Sequence, residues 1–493
     1  MYLFHKEVAC MTEKEIIEGV LSEFEGLAKH PRPSHHEKNV SDYIVARLAE
    51  LGITAKQDSV YNIVADVPAT KGFEKAPLTV LQGHMDMVCV AKPGVSYDPL
   101  KDPIRLVREG NILRADGTSL GADDGIAVAV ALYLIQQKIN HGPLRLIFTV
   151  DEETGMTGAT NLDAAHVKDA KYVINCDSES IDVICVASAG STHMHFMRQL
   201  HREVPAGDVA LAVRVHRLLG GHSGEVINEG RGNAIKAVSS VLRRLADKGA
   251  DYRLADFSGG IAANAIPADA TAIIVIASKD KDLVEKTVQE AEKEFRLTYE
   301  GLEDKAVFEV TPSAMAQSVF SKEDTEAVVD LISLLHCGVF SMNRAIPTLP
   351  DLSSSLGTIV TTDKDVTIQY FPRSSADARL REFLLSMPVI ARLTGTDVHI
   401  DEPMPAWTEN MHSRLQPLMA GVYEELMGKK PRIEAMHGGL ETGYLYAMNP
   451  DLDIVAVGPE THDIHSADEC VELDTVAQLV QVIAGTLEKL AQL

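Results

Sequence analysis

Five short segments of the sequence place histidine or acidic side chains directly after apolar runs. Their polar residues, in chain order, are His84 and Asp86; Asp123 and Asp124; Asp151, Glu152 and Glu153; Asp177; and His462 and His465. Each segment alone has an ordinary explanation, such as a strand-end histidine, a helix cap or a solvated acidic turn. Imidazole and carboxylate groups together are ligands that suit zinc, and cobalt or manganese accept the same types. The combination therefore predicts a metal centre.

The spacing within the segments indicates more than one cation. Side chains two apart on a strand project to the same face, so Asp86 is spaced to orient His84 or its surroundings. A helix cap accounts for only one of the adjacent acids Asp123 and Asp124, whereas a carboxylate between two cations would offset their repulsion. The three acids at 151–153 are unfavourable unless they are solvated or neutralised by cations.

Alternating helical and strand patterns in the first part of the chain are expected to bring these segments together. The pattern predicts helices at about 13–28, 37–51 and Gly125–Gln137, and strands at Pro77–Gln82, Leu144–Val150 and Lys171–Cys176. Strands that alternate with helices are typical of an α/β domain with a largely parallel sheet. Ligands gather beyond the carboxyl ends of such strands, where the acidic segments lie.

Near residue 188 the pattern changes, and from about 408 the first pattern returns. In between, the sequence predicts strands at Val209–Val215, Thr271–Ile276, Thr358–Gln369 and Asp397–Ile400, and helices at Asp282–Phe295 and about 376–394. After 408 it predicts a helix at His412–Met427, a strand at Asp453–Val457 and a helix at Leu473–Leu490. We therefore expect an α/β catalytic domain, residues 1–188 and 408–493, interrupted by an inserted α+β domain at 189–407 with an antiparallel sheet. The insert would contain two half-units, about 208–310 and 320–406.

Composition excludes several classes of partner. The chain has 493 residues and a formal net charge of −25 without a basic stripe, which disfavours nucleic acid and anionic membranes. No apolar stretch approaches the roughly 20 residues of a membrane span. The six cysteines show no CxxC pair, which indicates reduced thiols and a cytoplasmic location. The N-terminus lacks a signal-peptide pattern, and Met11 could serve as the start.

In order and spacing, the segments GHMDMV, GADDG, DEETG, NCD and HDIHS resemble the co-catalytic zinc aminoacylase and carboxypeptidase family of metallopeptidases. The resemblance is closer to its aminoacyl-histidine (Xaa-His) dipeptidase branch, also called cytosol non-specific dipeptidase, and covers about Met11 to the C-terminus. It implies five metal ligands: His84 and Asp177 on one metal, Glu153 and His465 on the other, and Asp123 between them. It further implies Glu152 as the general base and Asp86 as the residue that orients His84. The family pattern gives Asp124 and Asp151 no ligand role, so we expect them to be local structural residues. His465 fits the family's metal-ligand position better than His462.

The resemblance also makes the inserted domain a lid. The segment Gly220–Gly224 would bring His222 to the developing oxyanion. Asn264 and Arg373 would hold the substrate carboxylate, and the loop that carries Glu441 would contribute to the substrate pocket. From the residues alone, Arg373 would be interpreted as a surface ion pair and Asn264 as a turn residue.

The predicted function is hydrolysis of dipeptides, including Xaa-His dipeptides such as carnosine, by a water molecule between two divalent metal ions per chain. Zinc is the expected metal, with cobalt or manganese as alternatives. Members of the family often form dimers, so the resemblance allows a homodimer, while a lid with two half-units would allow one chain to close its own site. A tripeptidase, a carboxypeptidase or an N-acyl amino acid amidohydrolase could use the same ligands. A non-catalytic binding protein on the same fold is disfavoured because neither Glu152 nor any ligand is lost. Cysteine catalysis is disfavoured because no cysteine carries a recognisable nucleophile motif.

Overall fold

The computed structural model describes residues 12–493, so the expectation about Met11 and the N-terminus lies outside the described residues. Two compact units divide the chain. Unit 1 comprises the described residues up to Ala187 together with Trp407–Ala435 and Leu440–Leu493, and unit 2 comprises Ser188–Ala406 and Met436–Gly439. Between residues 12 and 493, no helix has both the length and the apolar character to span a membrane. The roles of the units as catalytic and lid domains stay predictions.

Helices occur in both units. They are α1 (Glu13–Ala28), α2 (Lys38–Glu50), α3 (Ala122–Leu134), α4 (Thr157–Asn161), α5 (Ala234–Asp247), α6 (Lys281–Thr298), α7 (Lys322–Leu334), α8 (Asp377–Leu384), α9 (Met387–Thr394), α10 (Leu415–Met427), α11 (Thr442–Met448) and α12 (Leu473–Leu490). Helix α1 begins with a capping box, in which the Thr12 hydroxyl accepts from the Glu15 N–H and the Glu15 carboxylate accepts from the Thr12 N–H. Its residues Ile16, Val20 and Phe24 recur at helical spacing and are buried.

The strands are mostly short. Those up to residue 203 are β1 (Ala55–Gln57), β2 (Ile63–Val67), β3 (Thr79–His84), β4 (Leu106–Glu109), β5 (Ile112–Ala115), β6 (Leu144–Thr149), β7 (Tyr172–Asn175), β8 (Val183–Ser188), β9 (Gly190–Ser191), β10 (Met194–Gln199) and β11 (Arg202–Glu203). The next are β12 (Val209–His216), β13 (Gly221–His222), β14 (Arg253–Gly259), β15 (Ala265–Ile266), β16 (Ala270–Ile276), β17 (Val307–Pro312), β18 (Val319–Phe320), β19 (Gly338–Met342), β20 (Pro350–Thr361), β21 (Asp365–Ser374) and β22 (Asp397–Ile400). The last are β23 (Arg432–Met436), β24 (Asp453–Ala456), β25 (Thr461–His462) and β26 (Cys470–Glu472).

Unit 1 is built on an eight-stranded sheet in the order β1-β2-β6-β3-β7-β24-β8-β23. The central strands β6, β3, β7 and β24 pair in parallel, while β1–β2, β2–β6 and β24–β8 pair antiparallel. Helix α3 is rich in small residues and almost wholly buried, and it packs on β3 and against α1 and α12. The predicted α/β domain with a largely parallel sheet centre is confirmed.

The parallel strands end at one edge of this sheet, and the acidic segments follow there. His84 is the last residue of β3, Asp151 comes two residues after the end of β6, and Asp177 comes two residues after the end of β7. Every residue of β3 and β7 is buried, so these strands hold the polar residues at their ends in a fixed register. The sheet therefore positions His84, Asp177 and the acidic triplet as the sequence indicated, whereas Asp123 lies in the first turn of α3 and His465 in the loop after β25.

Unit 2 is built on a ten-stranded sheet with the order β17-β12-β16-β14-β20-β21-β10-β22 along its main path. Its neighbours pair antiparallel throughout, which confirms the predicted α+β class. Helix α5 covers the sheet with a buried face that includes Ile235, Val238 and Leu242. The two predicted half-units form one continuous sheet, joined where Gly259 of β14 pairs with Ile359 of β20.

Two predicted elements of unit 2 are wrong in detail. The predicted strand Thr358–Gln369 is a hairpin, because the chain turns between Thr361 of β20 and Asp365 of β21. The predicted helix at about 376–394 is two helices, α8 and α9, with a break after Leu384. Pro388 lies in the first turn of α9, where its missing N–H costs nothing, whereas it would break a continuous helix.

Candidate metal centre

The centre of the site is His84, whose side chain is buried at the end of β3. Its Nε2 lies 3.1 Å from Oδ1 of Asp123, and its Nδ1 lies 3.3 Å from Oδ1 of Asp86. Asp86 is fully buried and also accepts hydrogen bonds from the Ser34 hydroxyl at 2.8 Å and the Glu152 N–H at 3.1 Å. One carboxylate thus fixes both the imidazole of His84 and the backbone of the acidic triplet.

Two groups of potential ligands meet at Asp123. His84, Asp123 and Asp177 offer ligand atoms within 4.8 Å of one another, and so do Asp123, Glu153 and His465. In the second group, His465 Nε2 lies 2.8 Å from Oε2 of Glu153 and 3.3 Å from Oδ2 of Asp123. The Oε1 atom of Glu153 is buried without a hydrogen-bond partner among the described residues. The structure therefore brings together all five residues that the resemblance implied as ligands.

Burial controls the protonation of two carboxyl groups at the site. It raises the pKa of Asp177 well above its usual range, and the charges of Asp123 and Glu441 add to this effect while His84 opposes it. It also raises the pKa of Glu152 well above its usual range, and neighbouring carboxylates contribute in the same direction. Carboxylates this crowded need positive charge beside them.

The two histidines lie against these carboxylates. Hydrogen bonds to Asp123 and Glu153 raise the pKa of His465 to about 11. Burial lowers the pKa of His84, but its contacts with Asp123 and Asp86 outweigh burial and hold that pKa well above its usual range. Burial likewise opposes ionisation of Asp123, yet both histidines together hold its pKa below the usual range. The donor set of two imidazoles and three carboxylates fits two divalent ions.

The neighbouring polar residues of the segments have local partners. Asp124 accepts a hydrogen bond from the His84 N–H at 3.2 Å. Asp151 has a φ of +55°, and its carboxylate accepts from the hydroxyls of Thr154 and Thr157. His462 Nε2 lies 2.9 Å from Oε1 of Glu472, and His462 belongs to neither ligand group.

Two buried acids beside the site escaped the sequence analysis. Glu37 accepts from the Asp151 N–H at 2.9 Å, and burial raises the pKa of Glu37 to about 7. Glu469 accepts from the backbone of the loop before Asp123. The only sequence signal for Glu469 was its place four residues after His465, and Glu37 had none beyond its charge.

Glu441 lies deep in unit 1. Its Oε2 accepts from Gln82 Nε2 at 2.6 Å and from the Thr149 hydroxyl at 2.5 Å, and burial raises the pKa of Glu441 to about 7. Gln82 belongs to β3 and Thr149 to β6, so Glu441 connects the start of α11 to the two strands that precede His84 and the acidic triplet. Its predicted part in the substrate pocket stays a prediction.

Within unit 2, the predicted residues His222 and Arg373 are neighbours. Arg373 on β21 is 4% exposed, its Nη2 lies 3.3 Å from His222 Nε2, and its guanidinium carbon lies 4.6 Å from the Phe371 ring. Between residues 12 and 493, no carboxylate lies within ion-pair distance of Arg373, and burial lowers its pKa to about 10. Asn264 lies on the adjacent turn, where its carbonyl accepts from the Ser223 N–H at 2.8 Å.

A further histidine lies beside this arginine. His437 Nε2 lies 2.7 Å from the Ser353 hydroxyl, while His437 Nδ1 is buried without a hydrogen-bond partner among the described residues. Burial, and then the charge of Arg373, lower the pKa of His437 to about 3. Unit 2 therefore presents a buried guanidinium beside a neutral imidazole, an arrangement suited to an anion.

Comparison with known proteins relates this geometry to a family. The sequence model described as peptidase family M20/M25/M40 matches residues 80–489. The cytosol non-specific dipeptidase of Escherichia coli (strain K12) is 32% identical over 470 residues, which cover 95% of this chain and 96% of that protein. The crystal structure of aminoacylhistidine dipeptidase from Vibrio alginolyticus matches with a TM-score of 0.87 at 30% identity and covers 99% of both chains.

A more distant structure shares the fold alone. The aminopeptidase PepT from Bacillus cereus matches with a TM-score of 0.55 at 16% identity and covers 96% of this chain and 99% of its own. The family predicted from the order of the motifs is confirmed by the sequence model and by both relatives of higher identity. The chain belongs to peptidase family M20/M25/M40.

Proposed function

We propose that the protein is a cytoplasmic, metal-dependent dipeptidase that cleaves dipeptides, including Xaa-His dipeptides such as carnosine. The observation that carries this proposal is Asp123, whose carboxylate belongs to both ligand groups of unit 1. A carboxylate shared in this way fits a site for two cations. The names of the Escherichia coli and Vibrio alginolyticus relatives, both dipeptidases, support the substrate class.

Five residues would hold the metal ions. His84 and Asp177 would bind one, Glu153 and His465 the other, and Asp123 both. Zinc suits this mixture of imidazole and carboxylate ligands, and cobalt or manganese would accept it as well. Two bound ions would supply Lewis acidity toward the peptide carbonyl and lower the pKa of water.

Glu152 would move the proton. No hydrogen-bond donor among the described residues reaches its carboxylate, and its Oε2 lies 4.0 Å from His84 Nε2. The raised pKa of Glu152 makes it a stronger base than an exposed carboxylate. Its carboxylate would take a proton from the attacking water and return it to the leaving amine nitrogen. Asp86 supports this role because it holds the Glu152 N–H and His84 in one arrangement.

Arg373 would bind the C-terminal carboxylate of the substrate. A buried guanidinium without an anionic partner is costly, and a substrate carboxylate would compensate that cost through a bidentate contact. Such a contact would favour short peptides whose C-terminus lies close to the scissile bond. His222 would stabilise the negative charge that develops on the peptide oxygen. Asn264 and Glu441 would form part of the substrate pocket.

A substrate panel on metal-reconstituted protein tests the proposal. It would compare carnosine, other dipeptides, a tripeptide, and an N-acetyl amino acid, with the Glu152→Gln variant as a control for contaminating peptidases. We expect dipeptides to be cleaved much faster than the other substrates. Equal or faster cleavage of the tripeptide or the N-acetyl amino acid would assign the site to a related activity. Light scattering in solution tests whether the protein is a monomer or a homodimer.

A further inference from the structure

Glu469 holds the loop that carries Asp123. Its Oε2 accepts from the N–H groups of Leu120 at 2.8 Å and Gly121 at 2.9 Å, and its Oε1 accepts from the Ala122 N–H at 2.8 Å. The side chain is 3% exposed. Successive N–H groups that converge on one buried carboxylate at the start of a helix form a strong, charge-assisted contact. The loop conformation therefore depends on this carboxylate.

Arg32 holds the same loop from its other side. Its Nη2 donates to the Gly121 carbonyl at 2.6 Å, and its Nη1 donates to the Met85 carbonyl at 3.0 Å. Gly121 has a φ of +70°, and a Cβ built there would lie 2.5 Å from Arg32 Nη2. The N–H of Gly121 thus contacts the buried carboxylate of Glu469, and its carbonyl contacts the buried guanidinium of Arg32. These two contacts restrict the backbone of Gly121.

The loop and Glu469 belong to the two segments that supply ligands to one metal. Asp123 follows Gly121 by two residues, and Glu469 follows His465 by four residues. The side chains of Asp123 and His465 lie 3.3 Å apart. Through its side chain, Glu469 therefore connects the segment that carries His465 to the loop that carries Asp123, although these two residues are far apart in the sequence.

We infer that Glu469 is a positioning residue that sets the separation of Asp123 and His465, and through it the metal affinity of the Asp123–Glu153–His465 group. This inference rests on the proposed ligand set. Residues that support metal ligands typically contribute about 10- to 100-fold to metal affinity. A loss of that size is expected when the support is removed.

Glu469→Gln keeps the shape of the side chain and removes its charge. The amide oxygen can accept from some of the converging N–H groups, but the amide nitrogen carries only donors and would face the remaining N–H groups. Donors that face donors in a buried site are unfavourable, so the loop must shift. We expect the Asp123–Glu153–His465 group to lose about 10- to 100-fold in metal affinity, and the His84–Asp177 group to lose less.

Zinc titration of the metal-free protein by calorimetry, with circular dichroism as a check of folding, measures both affinities. Cobalt titration, followed by visible absorption, reports on the ligand geometry. Asp468→Asn is the matched control, because Asp468 precedes Glu469 but is exposed and pairs with Lys92 on the surface. Asp468→Asn should match the wild type in affinity and in the cobalt spectrum, whereas Glu469→Gln should alter both.

Two outcomes would overturn the inference. One is a Glu469→Gln protein whose affinities for both metals stay within about twofold of wild type. The other is a protein that only melts at a lower temperature, since a purely structural role would leave the affinities of the folded protein unchanged. If Glu469→Gln does not fold, Glu469→Asp decides in the same way, because it keeps the charge but shortens the reach. Failure of the wild type to bind two ions would instead refute the proposed function.

Discussion

Replacing Glu152 with glutamine separates proton transfer from metal binding. Glutamine has nearly the same shape as glutamate but cannot accept a proton. The Glu152 carboxylate receives no hydrogen bond from the described residues, and its Oε2 lies 4.0 Å from His84 Nε2. The substitution therefore breaks no contact that holds the fold or a ligand. We expect Glu152→Gln to fold normally and to bind two metal ions.

The expected loss of turnover follows from the role of the carboxylate. General acid–base catalysis contributes about 10²–10⁴-fold, or roughly 3–5 kcal/mol of barrier. Burial strengthens Glu152 as a base by raising its pKa, and the same group handles the proton in two steps. We therefore expect kcat to fall by at least about 10²-fold, with a KM close to that of the wild type.

Glu153→Gln is the matched control, because the neighbouring residue has the same chemistry but a different contact. Glu153 Oε2 lies 2.8 Å from His465 Nε2 in the second ligand group. Its replacement should weaken one metal site, and a high metal concentration should restore part of the activity. Steady-state kinetics on a dipeptide and elemental analysis of both variants provide the comparison.

The reasoning is refuted if Glu152→Gln turns over at a near-normal rate. It is also refuted if Glu152→Gln loses a metal ion while Glu153→Gln keeps both. Either result would show that the assignment of Glu152 as the general base and Glu153 as a metal ligand is wrong.

Three other outcomes are expected. Chelation should abolish activity and zinc should restore it, because the crowded carboxylates need cations; active protein with only trace zinc, manganese or cobalt would contradict this. Amidating the substrate C-terminus should raise KM about 10- to 100-fold in the wild type but little in Arg373→Ala, because each change removes the same ion pair. Equal effects in both proteins would show that Arg373 does not bind the substrate carboxylate. His222→Ala should lower kcat about 10²- to 10³-fold and keep both metal ions, which elemental analysis checks, whereas unchanged turnover would exclude His222 from the reaction.

The residues at the ends of the parallel strands could be predicted because they combine two independent patterns. Apolar runs indicate the buried strands β3, β6 and β7, and the polar residues that follow must lie at the sheet edge. Asp177 shows this well, since a single acid after a short apolar run would otherwise mean little. The order of the motifs then implied five ligands that the structure does bring together.

Other parts could not be predicted because their contacts join segments that are distant in sequence. Glu469 binds backbone N–H groups near residue 121, and backbone groups leave no mark on the sequence. The hairpin of β20 and β21 was predicted as one strand because its turn lacks glycine and proline. The Ser353–His437 hydrogen bond has the same limitation, since it joins residues 84 positions apart and Ser353 belongs to no distinctive local pattern.

The place of β24 in the sheet has a consequence for synthesis on the ribosome. This strand lies between β7 and β8, yet it is translated only after Ser188–Ala406 of unit 2. Until then the nascent chain exposes the β7 edge, where unpaired backbone groups favour aggregation. His465 follows β24 in the chain, so the second ligand group stays incomplete until both units have largely been synthesised. A metal ion at the Asp123–Glu153–His465 group would therefore bind only after unit 2 has been synthesised, and chaperones that shield strand edges should act before it.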